Sequence, residues 1–214
     1  MRKIIVSIFA VSIFLILAFL CSCSKNNETA ADSINKSRLL WDGKKYTDPK
    51  KAVEYLNNAI KLQPSDAEIY NQRGVAYKNL GQNQRAIEDY NKAIQLKPDL
   101  DTAYYNRGTV YSELGQYQRA IENYNDTIRL KPDYAVVYNN RGNNYNKLGQ
   151  NQRAIEDFNK AISLKPDYAE PYNNRGIAYY KQDNNKMCCR DVQKACTMGV
   201  CQALELFKKN GYCR

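Results

Sequence analysis

Cysteine is the residue type in this chain whose number and spacing point to chemistry. Five of the seven cysteines lie close to the C-terminal end, at positions 188, 189, 196, 201 and 213. Clustered thiols form disulfides in exported proteins, bind zinc, or take part in thiol–disulfide exchange. Cys188 and Cys189 are adjacent, which differs from the Cys-x-x-Cys spacing of oxidoreductases. Disulfides are therefore the first interpretation, and a zinc site and a cysteine-based redox function are the alternatives.

The chain lacks the other side chains on which catalysis most often depends. It contains no histidine, which is the most common general base and the usual partner of a nucleophile. It also has no glycine-rich phosphate loop and no paired-carboxylate motif. The sequence therefore predicts that the protein is not an enzyme and that it needs no cofactor or metal.

The N-terminal stretch predicts export. Arg2 and Lys3 precede an uncharged apolar run over residues 4–20, which is the pattern of a signal peptide. Leu20-Cys21-Ser22-Cys23 resembles a bacterial lipobox, which implies cleavage after residue 22 and a lipid on Cys23. A plain signal peptide and a retained helix are the alternatives, because the run is near the lower limit of about 17 residues for spanning a membrane. Residues 1–22 are thus a predicted signal peptide, residues 23–32 a flexible tether, and the mature protein an exported, lipid-anchored one at the periplasmic or cell-surface side of a membrane.

The middle of the chain is a repeat with a period of 34 residues. Residues 70–98 return twice without insertion, and their leading Tyr-x3-Gly-x2-Tyr pattern occurs four times. Within one unit, Tyr70, Gly74 and Tyr77 share one face of a helix, and a second helix follows and ends before Pro98. Gly74 is small where the two helices would cross. Each unit is therefore predicted to be an antiparallel helical hairpin that needs neighbouring copies to cover its apolar faces.

This pattern resembles the tetratricopeptide repeat, with tyrosine where that family commonly has tryptophan. The resemblance implies an all-α fold, a right-handed superhelical α-solenoid of antiparallel helix hairpins. Residues 67–100, 101–134 and 135–168 fit the repeat over their whole length. Residues 33–66 are expected to form a degenerate first repeat, in which Leu40 stands in place of Gly74. Residues 169–214 are expected to form a degenerate repeat followed by a cysteine-rich capping helix.

In the family that the repeat resembles, the first helices of the hairpins line a concave surface. The resemblance places two columns of side chains there, and the second column consists of amides. Amides can pair with the backbone of an extended peptide, because each offers both donors and acceptors. The other interpretation is that asparagine is only a soluble surface residue in these places. The predicted groove residues are Asn71, Gln72, Tyr105, Asn106, Asn139, Asn140, Asn173 and Asn174.

A column of arginines occupies the next position of the same helices, at Arg73, Arg107, Arg141 and Arg175. One hypothesis is a stripe that binds an acidic segment or phosphate. The alternative, which we favour, is that each head group pairs within its own hairpin with a periodic glutamate, namely Glu88, Glu122 or Glu156.

The resemblance also suggests how the cysteines pair. The segment around Cys196 and Cys201 is similar to cysteine-rich repeats related to this fold, in which a bridge joins one helix end to the start of the next. This implies a Cys196–Cys201 bridge and a second bridge from Cys213 to Cys188 or Cys189, with one thiol left over. Residues 186–196 and 200–209 are the two helices expected there.

Composition limits the class of partner. The chain carries 32 basic and 22 acidic residues, a net charge of +10, but the charges are interspersed and form no long run. A solvated surface explains this distribution better than nucleic-acid binding does, and we expect no nucleic-acid partner. The sequence therefore predicts a lipid-anchored scaffold that binds an extended segment of another protein. An accessory or redox protein that uses the C-terminal cysteines is the alternative function.

Overall fold

The computed structural model of the chain describes residues 28–213. Over this range the chain is helical, and its one extended pairing is an isolated antiparallel bridge between Trp41 and Tyr46. The predicted all-α solenoid of helical hairpins is confirmed. The predicted signal peptide, Cys23 and residues 24–27 of the predicted tether lie outside the described residues.

Eleven helices follow one another along the described part of the chain. They are α1 (Ala30–Arg38), α2 (Pro49–Leu62), α3 (Ala67–Asn79), α4 (Asn83–Leu96), α5 (Asp101–Glu113), α6 (Tyr117–Leu130), α7 (Ala135–Lys147), α8 (Asn151–Leu164), α9 (Ala169–Tyr180), α10 (Asn185–Thr197) and α11 (Gln202–Lys209). No helix between residues 28 and 213 has both the length and the apolar character that crossing a membrane requires.

The helices pack as five hairpins in a row. The two helices of a hairpin make the largest contact, and each second helix then packs on the first helix of the next hairpin. The first helices α3, α5, α7 and α9 also contact one another in succession. Since elements on the inside of a curved stack lie closer together than those on the outside, these first helices line the inner face.

Glycine allows the helices of a hairpin to approach closely. A Cβ atom placed on Gly74 would lie 2.6 Å from the ring of Tyr90, and one on Gly142 would lie 2.7 Å from the ring of Phe158. Both rings are fully buried. The turn between α3 and α4 contains Gly81 at a φ of 71°, in the left-handed region that glycine adopts at little cost. The positions of glycine in the sequence therefore determine both the close approach of the two helices and the turn that joins them.

The N-terminal hairpin differs from the prediction in two respects. Helix α1 begins at Ala30, inside the predicted tether, because Thr29 and Asp32 form a capping box. It ends at Arg38, so Leu40 lies beyond the helix rather than at a crossing point. The small side chains that α1 buries are instead Ala30, Ser33 and Ser37. The ring of Tyr46 completes the apolar core of this hairpin.

The C-terminal end has the expected two helices after α9. Helix α11 begins two residues later than predicted, and Gly211 follows it with a φ of 77°. Leu204 and Phe207 on α11 pack with Val192 of α10 and with Tyr180, so α11 covers the open end of the stack. This is the arrangement expected of a cap.

Candidate functional site

The predicted groove residues lie on the first helices and bind one another across hairpin boundaries. The Nδ2 of Asn106 donates to the Oδ1 of Asn71 at 3.0 Å. The Nδ2 of Asn174 donates in the same way to the Oδ1 of Asn139 at 3.0 Å. Between these two links, the Nδ2 of Asn140 lies 3.3 Å from the hydroxyl of Tyr105. A ladder of side-chain hydrogen bonds therefore connects consecutive hairpins along the inner face.

The two columns differ in burial. Asn71 and Asn139 are buried, at 8% and 4% exposure, and each also donates a hydrogen bond to a hydroxyl, that of Thr102 or that of Tyr168. Asn173, in the same column, donates to the Oδ1 of Asn174 at 3.4 Å. The first column thus contributes mainly to the packing of the stack. Asn71 also borders a cavity at the N-terminal end of this face, and that Asn71 and Asn139 contact a ligand stays a prediction.

The second column retains free hydrogen-bonding capacity. Asn106 and Asn140 are half-buried, and each uses one of its two N–H groups in the ladder. Among the described residues, the Oδ1 of neither residue accepts a hydrogen bond. An asparagine side chain offers two donors and two acceptor lone pairs, so each of these amides can still give one N–H and one oxygen to a ligand.

Tyrosines form the middle of this face. The rings of Tyr105 and Tyr134 lie 5.5 Å apart, and Tyr168, at the start of α9, accepts a hydrogen bond from Asn139 on the preceding hairpin. Burial raises the pKa of Tyr105 and Tyr134, and it raises the pKa of Tyr168 to about 12. All three hydroxyls are therefore neutral near pH 7. The centre of the inner face presents aromatic surface and amides rather than charge.

A cavity of about 450 Å³ lies at the N-terminal end of the inner face. Its walls are formed by Arg38, by Trp41 and Tyr46 from the bridged loop of the first hairpin, and by Asn71, Gln72 and Val75 from α3. The Oε1 of Gln72 is buried there and has no hydrogen-bond partner within residues 28–213. Gln72 was predicted from the sequence, but the aromatic wall was not. The indication of this wall in the sequence is that Trp41 is the only tryptophan in the chain, and in the structure it is half-exposed.

The arginine column pairs within the hairpins, as we favoured, but the predicted partner was wrong. Arg73 and Arg141 bind the carboxylates of Asp89 and Asp157 through two hydrogen bonds each, at 2.6 and 2.8 Å. Glu88, Glu122 and Glu156 are exposed, because a one-residue step along a helix rotates a side chain by about 100°. The remaining Nη1 of each arginine donates to an asparagine on the preceding second helix, at Asn57, Asn91, Asn125 or Asn159.

Two pairs of C-terminal cysteines lie at disulfide distance. Cys196 meets Cys201, and Cys189 meets Cys213, so of the two partners expected for Cys213 the structure selects Cys189. The remaining thiol, Cys188, is buried, and burial raises its pKa to about 11. Within residues 28–213 no group of three or more His, Cys, Asp or Glu side chains is arranged to hold a metal ion.

Comparison with known proteins agrees with this architecture. A family model described as TPR repeat matches residues 49–81, 77–115 and 142–183, and a second described as tetratricopeptide repeat matches residues 102–134. A search of curated proteins finds no match.

Several solved structures share the fold. MamA residues 41-end from Desulfovibrio magneticus RS-1 is 28% identical, with a TM-score of 0.72 over 81% of this chain and 96% of that one. A MamA RS-1 double mutant is 25% identical, with a TM-score of 0.73 over 79% and 93%. YrrB, described as a TPR protein with an unusual peptide-binding site, is 22% identical, with a TM-score of 0.71 over 90% and 98%.

Proposed function

Because the chain belongs to the tetratricopeptide repeat family, we propose that it is an interaction scaffold whose inner face holds an extended segment of another protein. Repeat scaffolds of this family support protein–protein interaction. The observation that carries the proposal is the second amide column, in which Asn106 and Asn140 keep an acceptor and a donor free at regular spacing. An extended peptide backbone offers the complementary groups.

The shape and polarity of the inner face define the kind of segment that fits. Tyr105 and Tyr134 give an uncharged, aromatic centre, which favours apolar or aromatic side chains in the bound segment. The cavity at Trp41 and Gln72 can take one such side chain at the N-terminal end of the groove. YrrB shares the fold and carries a peptide-binding site according to its description, which supports this choice of ligand class.

The same proposal includes a lipid anchor on Cys23 and an envelope location, which rest on the lipobox resemblance alone. Helix α1 begins at Ala30, so only residues 24–29 would separate the lipidated cysteine from the folded domain. A segment of that length reaches at most about 25 Å. The N-terminal end of the groove, with Trp41, would therefore stay close to the membrane surface.

Site-specific photo-crosslinking tests the groove directly in intact cells, where any natural partner is present. A photoreactive amino acid at Asn143, one turn beyond Asn139 on α7, should capture a partner that lies on the inner face. The matched control is the same amino acid at Glu122, which is exposed on the second helix α6. A partner captured equally at both positions, or at Glu122 alone, would contradict binding on the inner face.

The identified segment then allows a binding measurement. Asn140→Ala should weaken its binding by about 0.5 to 1.5 kcal/mol, the net contribution of one hydrogen bond, and Asn106→Ala with Asn140→Ala should weaken it further. Gln84→Ala on the exposed face of α4 is the control and should leave binding unchanged. Circular dichroism must show unchanged helicity, because both asparagines also link hairpins. Undiminished binding by a folded double variant would reject the amide column as the site.

Processing provides a separate test of the anchor. The intact mass of the protein from the membrane fraction should correspond to loss of residues 1–22 with a lipid adduct on Cys23. The variant Cys23→Ala should show neither the cleavage nor the lipid adduct. A soluble mature chain that starts elsewhere would contradict the anchor and would leave the groove proposal intact.

The alternative function, a redox role for the C-terminal cysteines, has no specific observation in its favour. Cys189 and Cys213 join α10 to the end of the chain, and Cys196 and Cys201 join α10 to α11. Both pairs hold the cap against the last hairpin. The arrangement therefore favours a structural role for these residues.

A further inference from the structure

A second cavity, of about 600 Å³, lies in the last hairpin between α9 and α10. Its walls are Tyr172, Arg175 and Tyr179 from α9, and Met187, Arg190 and Lys194 from α10. It shares no residue with the groove proposed above. Its walls differ from those of the earlier hairpins at two positions that the repeat otherwise keeps constant.

The first difference removes a side chain that covers an aromatic ring. In the three preceding hairpins, the position of Met187 holds an arginine whose guanidinium lies over the second tyrosine of the first helix. The pairs are Arg85 with Tyr77, Arg119 with Tyr111 and Arg153 with Tyr145, at 5.6, 5.6 and 5.7 Å from the ring centre. In the last hairpin Met187 and Tyr179 both line the cavity instead.

The second difference makes the cavity basic. The position of Arg190 holds glutamate in the three preceding hairpins, at Glu88, Glu122 and Glu156. Arg190 and Lys194 are one turn apart on α10, and like charges at this spacing destabilise a helix slightly. In two of the earlier hairpins the same two positions hold a favourable Glu-to-Lys pair, Glu88 with Lys92 and Glu156 with Lys160.

Among the described residues, the cavity wall has no free negative charge to balance these cations. Asp191 is its one acidic wall residue, and its two carboxylate oxygens are bound by Arg175 at 2.6 and 2.8 Å. Within residues 28–213, neither Arg190 nor Lys194 forms an ion pair. Both side chains are exposed and can turn their donors toward a ligand at the cavity mouth.

From these contacts we propose that the last hairpin binds an oxyanion attached to a flat aromatic group. Arg190 and Lys194 supply charge-assisted hydrogen bonds to the oxyanion. Tyr172, Tyr179 and the thioether of Met187 form apolar walls for the ring. A phosphate and a carboxylate share the required chemistry, and a phosphate binds more tightly because it carries more negative charge.

Calorimetric titration of the purified protein with phenyl phosphate tests this site. Phenyl phosphate should bind more tightly than either inorganic phosphate or phenol, since only it engages both the cations and the aromatic walls. A parallel titration with benzoate distinguishes a carboxylate ligand from a phosphate ligand. If inorganic phosphate binds as tightly as phenyl phosphate, the aromatic part of the proposal is wrong.

The repeat itself supplies the variants. Arg190→Glu restores the residue of the earlier hairpins, so it should fold, and it should weaken phenyl phosphate binding by about tenfold or more, the effect of losing a charged hydrogen bond. Met187→Arg also restores the residue of the earlier hairpins, and its guanidinium should cover Tyr179, so phenyl phosphate should lose its advantage over inorganic phosphate. Lys208→Glu on α11 changes the net charge by the same amount as Arg190→Glu and should alter binding by less than about twofold. Equal affinity in wild type and Arg190→Glu, or an equal loss in Lys208→Glu, would overturn the proposal.

Discussion

The Nε of Arg107 lies 2.7 Å from the amide oxygen of Asn123, whereas the equivalent arginine in every neighbouring hairpin meets a carboxylate. The hydrogen bonds that Arg73 donates to Asp89 raise the pKa of Arg73, but burial lowers the pKa of Arg107. Asp126 on α6, which acts on Arg107 only through space, is half-exposed and pairs with Arg129. The centre of the stack therefore holds a half-buried cation to which no anion binds directly within residues 28–213.

Replacing Asn123 with aspartate should stabilise the protein. The carboxylate would bind two N–H groups of Arg107, as Asp89 and Asp157 bind their arginines. Because these arginines are partly exposed, we expect a gain of only about 0.5 to 1 kcal/mol in the free energy of unfolding, measured by urea denaturation. The reverse change, Asp157→Asn, should destabilise the fourth hairpin. If Asn123→Asp is less stable than wild type, the inference that Arg107 lacks a stabilising counter-charge is wrong.

The exact repeat explains which features the sequence could predict. Tyrosine, glycine and alanine recur at helical spacing, so the hairpins, their order and the crossing at Gly74 followed directly. The partner of Arg73 could not be predicted in this way. Asp89 and Glu88 are neighbours in sequence, and which of them faces Arg73 depends on the rotation of the second helix about its axis. Trp41 and Tyr46 lie in the degenerate first repeat, in a part with no equivalent in the later repeats, so no internal copy indicates their contacts. The repeat places Gln72 in its column, but it does not predict the cavity beside Gln72, because part of the cavity wall comes from the loop of the first hairpin.

Gly74→Ala should destabilise the second hairpin although alanine is the better helix former. The gain in helix propensity is about 1 kcal/mol. A Cβ at this position would lie 2.6 Å from the fully buried ring of Tyr90, and overpacking of this kind costs about 1 to 3 kcal/mol. The cost of the clash should therefore exceed the gain in helix propensity, and the melting temperature should fall. Ser112→Ala, a half-buried position on α5, is the control. A melting temperature above that of wild type would indicate that the ring moves aside easily.

The C-terminal cysteines should divide into two bridges and one inert thiol. Reduction, or Cys189→Ser, should lower the melting temperature of the cap, because a bridge between residues 24 apart in sequence contributes about 2 to 4 kcal/mol. Cys188 should resist alkylation at pH 8 in the native protein, since it is buried and its pKa is raised to about 11, and should react after denaturation. Peptide mapping of the labelled protein reads out each site. Rapid native labelling of Cys188, or labelling of Cys189 without reduction, would contradict this assignment.

The buried tyrosines should make the stack sensitive to alkaline pH. Burial raises the pKa of Tyr124 to about 12, whereas a tyrosine in an unfolded chain titrates near pH 10. Between these values the unfolded state releases a proton that the native state retains, so rising pH favours unfolding. The stability that the neutral hydroxyl provides is thus complete below about pH 10 and is lost as the pH approaches 12.

Tyr124→Phe removes this titration at little structural cost, because Phe158 already occupies the equivalent position in the next hairpin. The hydrogen bond that is lost, from the hydroxyl of Tyr124 to the Oγ1 of Thr109, is long at 3.5 Å. At pH 7 the variant should therefore differ from wild type by less than about 1 kcal/mol. Between pH 10 and 12 it should lose less stability than wild type, by up to about 2 kcal/mol, measured by urea denaturation followed by circular dichroism. An equal loss in both proteins would place the alkaline sensitivity at other groups, such as Tyr90 or Tyr168.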